Sequence, residues 1–158
     1  MQERETHFDD IVPGTEKRIL WAQASGQRTP LSVVYLPGFF ATRQETAPVA
    51  ELVAAKLGAN LFETRLTGHG RGAEATGDVS LQAWLDDAWE AWEIGARLGD
   101  RVILVGMSTG APLATWITYR VGAGAFAVAG AVKGSVAATV LLSPNFFPAD
   151  QRASIILR

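Results

Sequence analysis

The segment that most constrains the fold runs from Val102 to Ala114. It opens with an unbroken apolar run, Val102 to Val105, which is typical of a strand buried on both faces. Gly106-Met107-Ser108-Thr109-Gly110 follows, and an Ala- and Leu-rich helical pattern comes directly after it. A Gly-x-Ser-x-Gly segment between a strand and a helix predicts a sharp turn that holds the serine hydroxyl above the sheet edge. The two glycines let other backbone pass where a Cβ would clash, so we expect Ser108 to be a nucleophile.

The composition indicates one globular domain over residues 1–158. Hydrophobic residues make up 48% of the chain and charged residues 19%, which suits a sizeable core. The net charge of −2 gives no electrostatic case for a nucleic-acid partner. There is no cysteine, and the two histidines, His7 and His69, are far apart with no carboxylate pair beside either. We therefore predict neither a metal nor a cofactor.

Two stretches bear on the compartment. Met1 to Asp10 is polar and mixed in charge, without the apolar segment of a signal peptide. The longest run of small apolar residues, Val121 to Val132, contains three glycines and is too short to span a bilayer. These patterns predict a cytoplasmic protein without a membrane span.

Strand and helix patterns alternate along the chain. Further helices are expected from near Ala47-Pro48 to Gly58, where Val49, Leu52, Val53 and Leu57 have helical spacing, and from Leu81 onward behind a Ser80 cap. This alternation predicts an α/β fold with a mostly parallel sheet flanked by helices. Besides the strand before Ser108, the expected strands are Arg18–Ala22, Leu31–Leu36, Asn60–Thr64 and Val136–Leu142.

Three motifs in order carry a family resemblance. They are Leu36-Pro37-Gly38-Phe39-Phe40, Leu66-Thr67-Gly68-His69-Gly70 and the Gly-x-Ser-x-Gly segment. With them the chain, from about Arg18 to Phe147, resembles the α/β-hydrolase superfamily, most of all small bacterial esterases and monoacylglycerol-lipase-like enzymes. The resemblance implies a serine hydrolase whose substrate is a small acyl ester.

The same resemblance implies roles for individual residues. Ser108 would attack the acyl carbonyl, and the backbone N–H groups of Phe39 and Thr109 would form the oxyanion hole. Phe40 and Met107 would line the acyl side of the substrate pocket. Relatives commonly carry His-Gly where this chain has Pro37-Gly38. The proline removes a backbone donor and a polar side chain, which leaves the hole intact or re-aims it.

The rest of the catalytic triad departs from the family pattern. In the superfamily the order is Ser, then an acid, then His, yet no histidine follows Ser108 and the only acid after it is Asp150. Asp150 is a candidate acid, against the alternative of an ordinary loop aspartate. His69 is a candidate base, although in relatives this histidine orients a loop, and His7 is a poorer one. Without a base, Ser108 is a weak nucleophile.

Two hypotheses follow for the whole chain. Val136 to Leu142 is apolar except for Thr139, which suits a central strand, and an unpaired edge there would pair with another chain. The first hypothesis is an α/β-hydrolase fold lacking its C-terminal strands, a serine esterase whose acid and histidine come from a complementing C-terminal segment. The second is a non-catalytic fragment or pseudoenzyme that self-associates through this edge. A thioesterase, amidase or acyltransferase is also open, because function resides in the site and not in the fold.

Overall fold

The computed structural model describes residues 10–72, 75, 79–122 and 134–146. These residues form a five-stranded sheet with three α-helices, and none of the described helices is long and apolar enough to cross a membrane. The strands are β1 (Arg18–Leu20), β2 (Thr29–Leu36), β3 (Asn60–Glu63), β4 (Gly99–Met107) and β5 (Ser135–Leu142). The helices are α1 (Val49–Leu57), α2 (Leu81–Leu98) and α3 (Gly110–Gly122), and a 3₁₀ helix covers Arg43–Glu45.

The sheet has the order β1-β3-β2-β4-β5. Only β1 is antiparallel to its neighbour, so the predicted fold class, a mostly parallel sheet flanked by helices, is confirmed. Leu36 at the end of β2 is in register with Gly106 near the end of β4. The loops that leave these two strands therefore start side by side at the carboxyl edge, where open α/β sheets place their sites.

Helices α2 and α3 cover one face of the sheet. Helix α2 starts where the sequence places it, because the Ser80 hydroxyl accepts the N–H of Ala83 at 3.1 Å. Trp84, Ala88 and Trp92 on this helix are buried, whereas Leu81 is exposed. The main core lies here and includes Val34, Leu36, Phe62, Leu66, Val102, Leu104, Leu113 and Ile117.

Helix α1 covers the other face and differs from expectation. It forms where predicted and ends at Gly58, whose φ of 58° and N–H bonds to the carbonyls of Ala54 and Ala55 close the last turn. The residues that pack on the sheet are Ala50 and Ala54, because small side chains let the helix lie close to it. The four larger residues that define the helical spacing point outward and are 37–63% exposed, namely Val49, Leu52, Val53 and Leu57.

Strand β5 is the last strand in the described sheet order. It pairs with β4 from Arg101↔Ser135 to Met107↔Leu142, with one irregularity after Val102. Val140 and Leu141 are exposed although both are apolar. The strand that its sequence marks as central is therefore at an edge of the described sheet.

Candidate active site

Ser108 occupies a strained turn between β4 and α3. Its φ of 47° lies in the left-handed region, which L-residues other than Gly, Asn and Asp adopt at a cost of about 1–2 kcal/mol. The turn is held because the Ser108 N–H donates to the Leu142 carbonyl at 2.9 Å, and the Ser108 carbonyl accepts the N–H of Ala111 at 3.1 Å. The first bond ties the turn to the end of β5.

The two glycines of the turn are required by close backbone. A Cβ on Gly106 would lie 2.6 Å from the carbonyl carbon of Gly110. A Cβ on Gly110 would lie 2.6 Å from the Leu36 carbonyl carbon and would collide with the Leu36 carbonyl oxygen. The reason given by the sequence for both glycines is confirmed. The start of α3 therefore rests directly on the end of β2.

The segment Pro37–Phe40, here called the oxyanion loop, leaves β2 beside Ser108. A Cβ placed on Gly38 would lie 3.3 Å from Ser108 Cβ, so loop backbone and serine are in immediate contact. The Gly38 N–H donates to Glu45 Oε1 at 2.6 Å, and the Tyr35 hydroxyl donates to the same oxygen at 2.8 Å. Tyr35 is buried in the core beneath the loop, and burial raises the pKa of its hydroxyl well above the ordinary value.

His69 holds the other end of the oxyanion loop. The Phe40 N–H donates to His69 Nε2 at 2.8 Å, which requires Nε2 to be unprotonated. His69 Nδ1 lies 3.2 Å from the Thr67 carbonyl and in this tautomer donates to it. The ring is 1% exposed, and burial lowers its pKa below 6.5, which favours this neutral form. Both ring nitrogens are thus engaged.

The glycine-rich loop that carries His69 is itself fixed from three sides. Trp84 Nε1 donates to the Thr67 carbonyl at 3.0 Å, and the Thr67 N–H donates to Asp87 Oδ2 at 2.5 Å. The guanidinium of Arg65 donates to the His69 carbonyl at 3.0 Å. Val12 N–H reaches the carbonyl after His69, that of Gly70, at 2.9 Å. Burial raises the pKa of the Asp87 carboxyl, because its charged form is desolvated.

The aromatic residues of the site form one cluster. The His69 ring lies 5.4 Å from Trp84 and stacks on Phe40 at 5.8 Å. The Phe39 ring lies 4.1 Å from the Phe40 ring and 5.8 Å from the Trp84 ring. Phe39 is 44% and Phe40 56% exposed, so this cluster runs from the core out to solvent. Met107 is half-buried and packs with the core beneath α1.

Two backbone amides beside Ser108 have no acceptor among the described residues. The Phe39 N–H lies between Gly38 and Phe40, whose N–H groups are both bonded, and within the described part of the chain nothing accepts it. The same holds for the N–H of Thr109, which follows Ser108 directly. Backbone amides are almost always paired in native proteins unless they face water or a ligand. The site therefore offers two amide donors next to one serine hydroxyl.

Asp150 and His7 lie outside the described residues. Over the described ranges no group of three or more His, Cys, Asp or Glu side chains converges, so no set of metal ligands is found there.

Glu45 is the site residue that sequence reasoning missed. Thr42-Arg43-Gln44-Glu45 matches a capping box, in which the glutamate would turn back to the amide of Thr42. Thr42 does cap the 3₁₀ helix, with its Oγ1 accepting the Gln44 N–H at 3.4 Å. The Glu45 carboxylate instead reaches Gly38, seven residues earlier. No spacing rule points to that contact.

Similar proteins of known structure share this fold at low sequence identity. One of the metagenome-derived lipolytic enzymes LipS and LipT matches with a TM-score of 0.74 and 18% identity, over 92% of this chain and 52% of that one. A putative hydrolase from Agrobacterium vitis S4 matches with a TM-score of 0.62 and 19% identity, over 89% and 60%. The esterase LipW from Mycobacterium marinum matches with a TM-score of 0.50 and 21% identity, over 92% and 46%. The chain thus spans about half the length of these structures.

A search of the curated proteins finds no match. The model of the alpha/beta hydrolase family matches residues 33–158, which include both loops of the candidate site and the Gly-x-Ser-x-Gly turn. The match covers well over half of the sequence and agrees with the sheet order and the helix positions. This protein belongs to the alpha/beta hydrolase family.

Proposed function

We propose that this protein is a serine hydrolase acting on carboxylic esters, with Ser108 as nucleophile and the N–H groups of Phe39 and Thr109 as oxyanion hole. The observation that carries the proposal is the pair of amides without an acceptor among the described residues, one directly after a serine held at positive φ and one in the loop that contacts it. Support also comes from structural relatives described as lipolytic enzymes and as an esterase. These features support a nucleophile and two donors that act on one reacting carbonyl.

The proposed reaction has two stages. Ser108 Oγ attacks the acyl carbon while its proton passes to a base, and the carbonyl oxygen becomes an oxyanion bound by the Phe39 and Thr109 N–H groups. The C–O bond to the alcohol breaks as the base returns the proton to the leaving oxygen, which leaves the acyl group on Ser108. Water then attacks the acyl-enzyme in the same way and releases the carboxylic acid. Each donor contributes about 3–4 kcal/mol to lowering the barrier.

The proposal does not use His69 as the base. Its Nε2 already accepts the Phe40 N–H, and its other nitrogen faces the Thr67 carbonyl, so no ring lone pair is left for a serine proton. The proposal therefore assigns the acid and the histidine to a complementing C-terminal segment, with Asp150 as the alternative acid. Phe40 and Met107 are assigned to the acyl side of the pocket.

The test is covalent labelling of the protein as produced from its own gene in its own cells. A fluorophosphonate probe should modify Ser108, and trypsin releases that residue in the peptide from Val102 to Arg120, which contains no other serine. Ser108→Ala should abolish both the labelling and the hydrolysis of p-nitrophenyl butyrate. Ser143→Ala is the matched control, because Ser143 also ends a strand at positive φ, 44°, and this variant should label normally. Labelling that persists in Ser108→Ala, or fails in the unaltered protein, would overturn the proposal.

The same preparation identifies the ester among related acyl substrates. Butyryl thioester and butyryl anilide are assayed beside p-nitrophenyl butyrate. The proposal expects the ester to have the highest kcat/KM. A higher kcat/KM for the thioester or the anilide would leave Ser108 as the nucleophile and change the proposed substrate class.

A second candidate function is favoured by one observation, the exposed apolar residues Val140 and Leu141 on β5. In that case the chain is a non-catalytic member of the family that associates through this strand. It predicts a dimer in sedimentation that Val140→Lys dissociates, together with no fluorophosphonate labelling. A monomer that labels on Ser108 would exclude it.

A further inference from the structure

The backbone N–H groups of Gly38, Phe39 and Phe40 in the oxyanion loop differ in whether they have an acceptor. Of the three consecutive N–H groups, the first donates to Glu45 and the third to His69. Only the middle one, that of Phe39, lacks an acceptor in the part of the chain described by the structure. We infer that Glu45 is a positioning residue of the oxyanion hole, which fixes the direction of the Phe39 N–H. This inference rests on the proposed function.

The contact between Glu45 and the loop is short and is made beside the nucleophile. Glu45 Oε1 accepts from the Gly38 N–H at 2.6 Å and from the Tyr35 hydroxyl at 2.8 Å. A Cβ on Gly38 would lie 2.9 Å from Glu45 Oε2 and 3.3 Å from Ser108 Cβ. The carboxylate and the serine thus contact the same glycine. Hydrogen bonds to a carboxylate are about twice as strong as neutral ones, which suits a fastening role.

Pro37 explains why the loop needs this fastening. Proline has no N–H, so the first loop residue cannot donate a backbone hydrogen bond to the core. Gly38 is the first residue that has a donor, and it lacks a side chain to fix its conformation. Glu45 accepts that donor and is itself held by Tyr35, a buried residue of β2. Glu45 therefore fixes the position of the loop relative to the sheet.

The charge of Glu45 opposes the reaction that its geometry assists. A carboxylate close to the oxyanion hole repels the negative charge that develops on the carbonyl oxygen. Its benefit must therefore come from orientation, because an oxyanion donor acts only when it points at the oxygen in the transition state. Glu45→Gln separates the two effects, since the amide oxygen still accepts the Gly38 N–H whereas the charge is lost.

The experiment measures kcat and KM for p-nitrophenyl butyrate in the protein produced from its own gene. Glu45→Ala should lower kcat by about 10- to 100-fold and leave KM within threefold, because an oxyanion donor binds the transition state and not the ground state. Glu45→Gln should keep kcat within threefold of the unaltered protein. Glu16→Ala is the matched control, because it removes a carboxylate that accepts another glycine N–H, that of Gly14 at 3.0 Å. It should change neither constant.

A second readout does not depend on turnover. In ¹⁵N-labelled 158-residue protein, Glu45→Ala should shift the Gly38 and Phe39 amide resonances and speed their hydrogen exchange more than tenfold. Glu45→Gln and Glu16→Ala should leave the Phe39 amide unchanged. A purely structural role would lower thermal stability without this local change.

The outcomes separate the inference from the function it rests on. Unchanged kcat in Glu45→Ala, or a loss in Glu45→Gln as large as in Glu45→Ala, overturns the positioning role while Ser108→Ala is inactive. An unmoved Phe39 amide also overturns it. Full activity in Ser108→Ala overturns the proposed function instead, and the amide measurements still decide whether Glu45 holds the loop.

Discussion

The two halves of the candidate active site are built to different degrees. On the side that would bind an oxyanion, Glu45 and His69 fasten both ends of the oxyanion loop, and two amides lack acceptors among the described residues. On the side that would move a proton, the one described imidazole has both nitrogens engaged. The difference has a simple origin. Backbone donors come from two loops that the sheet register sets side by side, whereas a proton relay needs side chains from segments distant in sequence.

The largest expected effect comes from Ser108→Gly, which separates the chemistry of the turn from its strain. Hydrolysis of p-nitrophenyl butyrate should fall by at least about 10³-fold, because no nucleophile remains. Stability should rise by about 1 kcal/mol, because glycine adopts a φ of 47° without the Cβ penalty. Urea unfolding measures the second quantity.

Ser143→Gly is the matched control for that change. Its φ of 44° predicts a similar gain in stability, with activity kept. If Ser108→Gly retained more than a tenth of the activity, the nucleophile would have been assigned to the wrong residue.

Substitutions of His69 have the next largest expected effect. They test whether this residue only holds the oxyanion loop or also acts on the proton-transfer side of the site. His69→Ala removes a buried ring and leaves the Phe40 N–H without its acceptor. It should cost about 2–4 kcal/mol of stability and lower kcat by about 10- to 100-fold. His69→Gln keeps an acceptor for the Phe40 N–H and should restore much of both. Chemical unfolding and steady-state kinetics on the two variants give the answer.

The opposite result, in which His69→Gln is inactive, would mean that His69 serves both halves of the candidate site. If His69 were the base, glutamine could not replace it, and His69→Gln would be as inactive as Ser108→Gly. The hydrogen bond from the Phe40 N–H to His69 would then be a secondary property of a catalytic residue.

The pH dependence of stability should report the same ring. Burial lowers the pKa of His69 in the folded protein below its unfolded value of 6.5, so the unfolded state binds the proton more readily. The contribution of His69 is therefore fully present above pH 6.5 and is lost as pH falls through the folded pKa. Protonation would also replace the Nε2 acceptor by a donor facing the Phe40 N–H.

The measurement is the difference in unfolding free energy between the unaltered protein and His69→Gln from pH 8 to pH 5. Asp87 and Glu63 must be separated from it, because burial raises the pKa of both carboxyls. Their contribution has the opposite sign, since it is present below the unfolded pKa and is lost as pH rises through the folded one. A difference curve that stays flat below pH 6.5 would mean that His69 does not titrate with folding.

Sequence reasoning located the strands and the turn because their signals are local. A continuous apolar run marks β4, and the Gly-x-Ser-x-Gly turn needs its glycines for contacts that any strand–turn–helix must make. The fastening of the oxyanion loop could not be found in this way. Glu45 and His69 reach it from seven and 29 residues away, and only the folded sheet brings them together.

Helix α1 shows the other limit. The spacing of Val49, Leu52, Val53 and Leu57 placed the helix correctly but not its buried face. The contact with the sheet is made by Ala50 and Ala54, because close approach of the helix favours small apolar side chains over larger ones. Hydrophobic periodicity marks a helix, and tertiary packing decides which side it buries.

The smallest effect that we expect comes from Trp84, which holds the loop that carries His69. Trp84→Phe removes the N–H that donates to the Thr67 carbonyl but keeps an aromatic ring beside His69. It should cost about 0.5–1.5 kcal/mol and leave kcat within threefold, because the Phe40 N–H keeps its acceptor. Trp92→Phe is matched to it, since that indole N–H also donates to one carbonyl, that of Gly134 at 3.1 Å. The two variants should therefore lose similar stability in urea.

Only Trp84→Phe should change the response to acid. Without the indole N–H, the Thr67 carbonyl is a better acceptor for the His69 Nδ1 proton, and hydrogen bonding to that carbonyl favours the charged ring. The pKa of His69 should rise toward 6.5, so the loss of its stabilising contribution on acidification should be smaller and should end at a higher pH than in Trp92→Phe. Coincident acid profiles would show that the tryptophan supports the loop by packing alone. The fastening of the oxyanion side would then depend on Glu45 and His69 without a contribution from the indole N–H of Trp84.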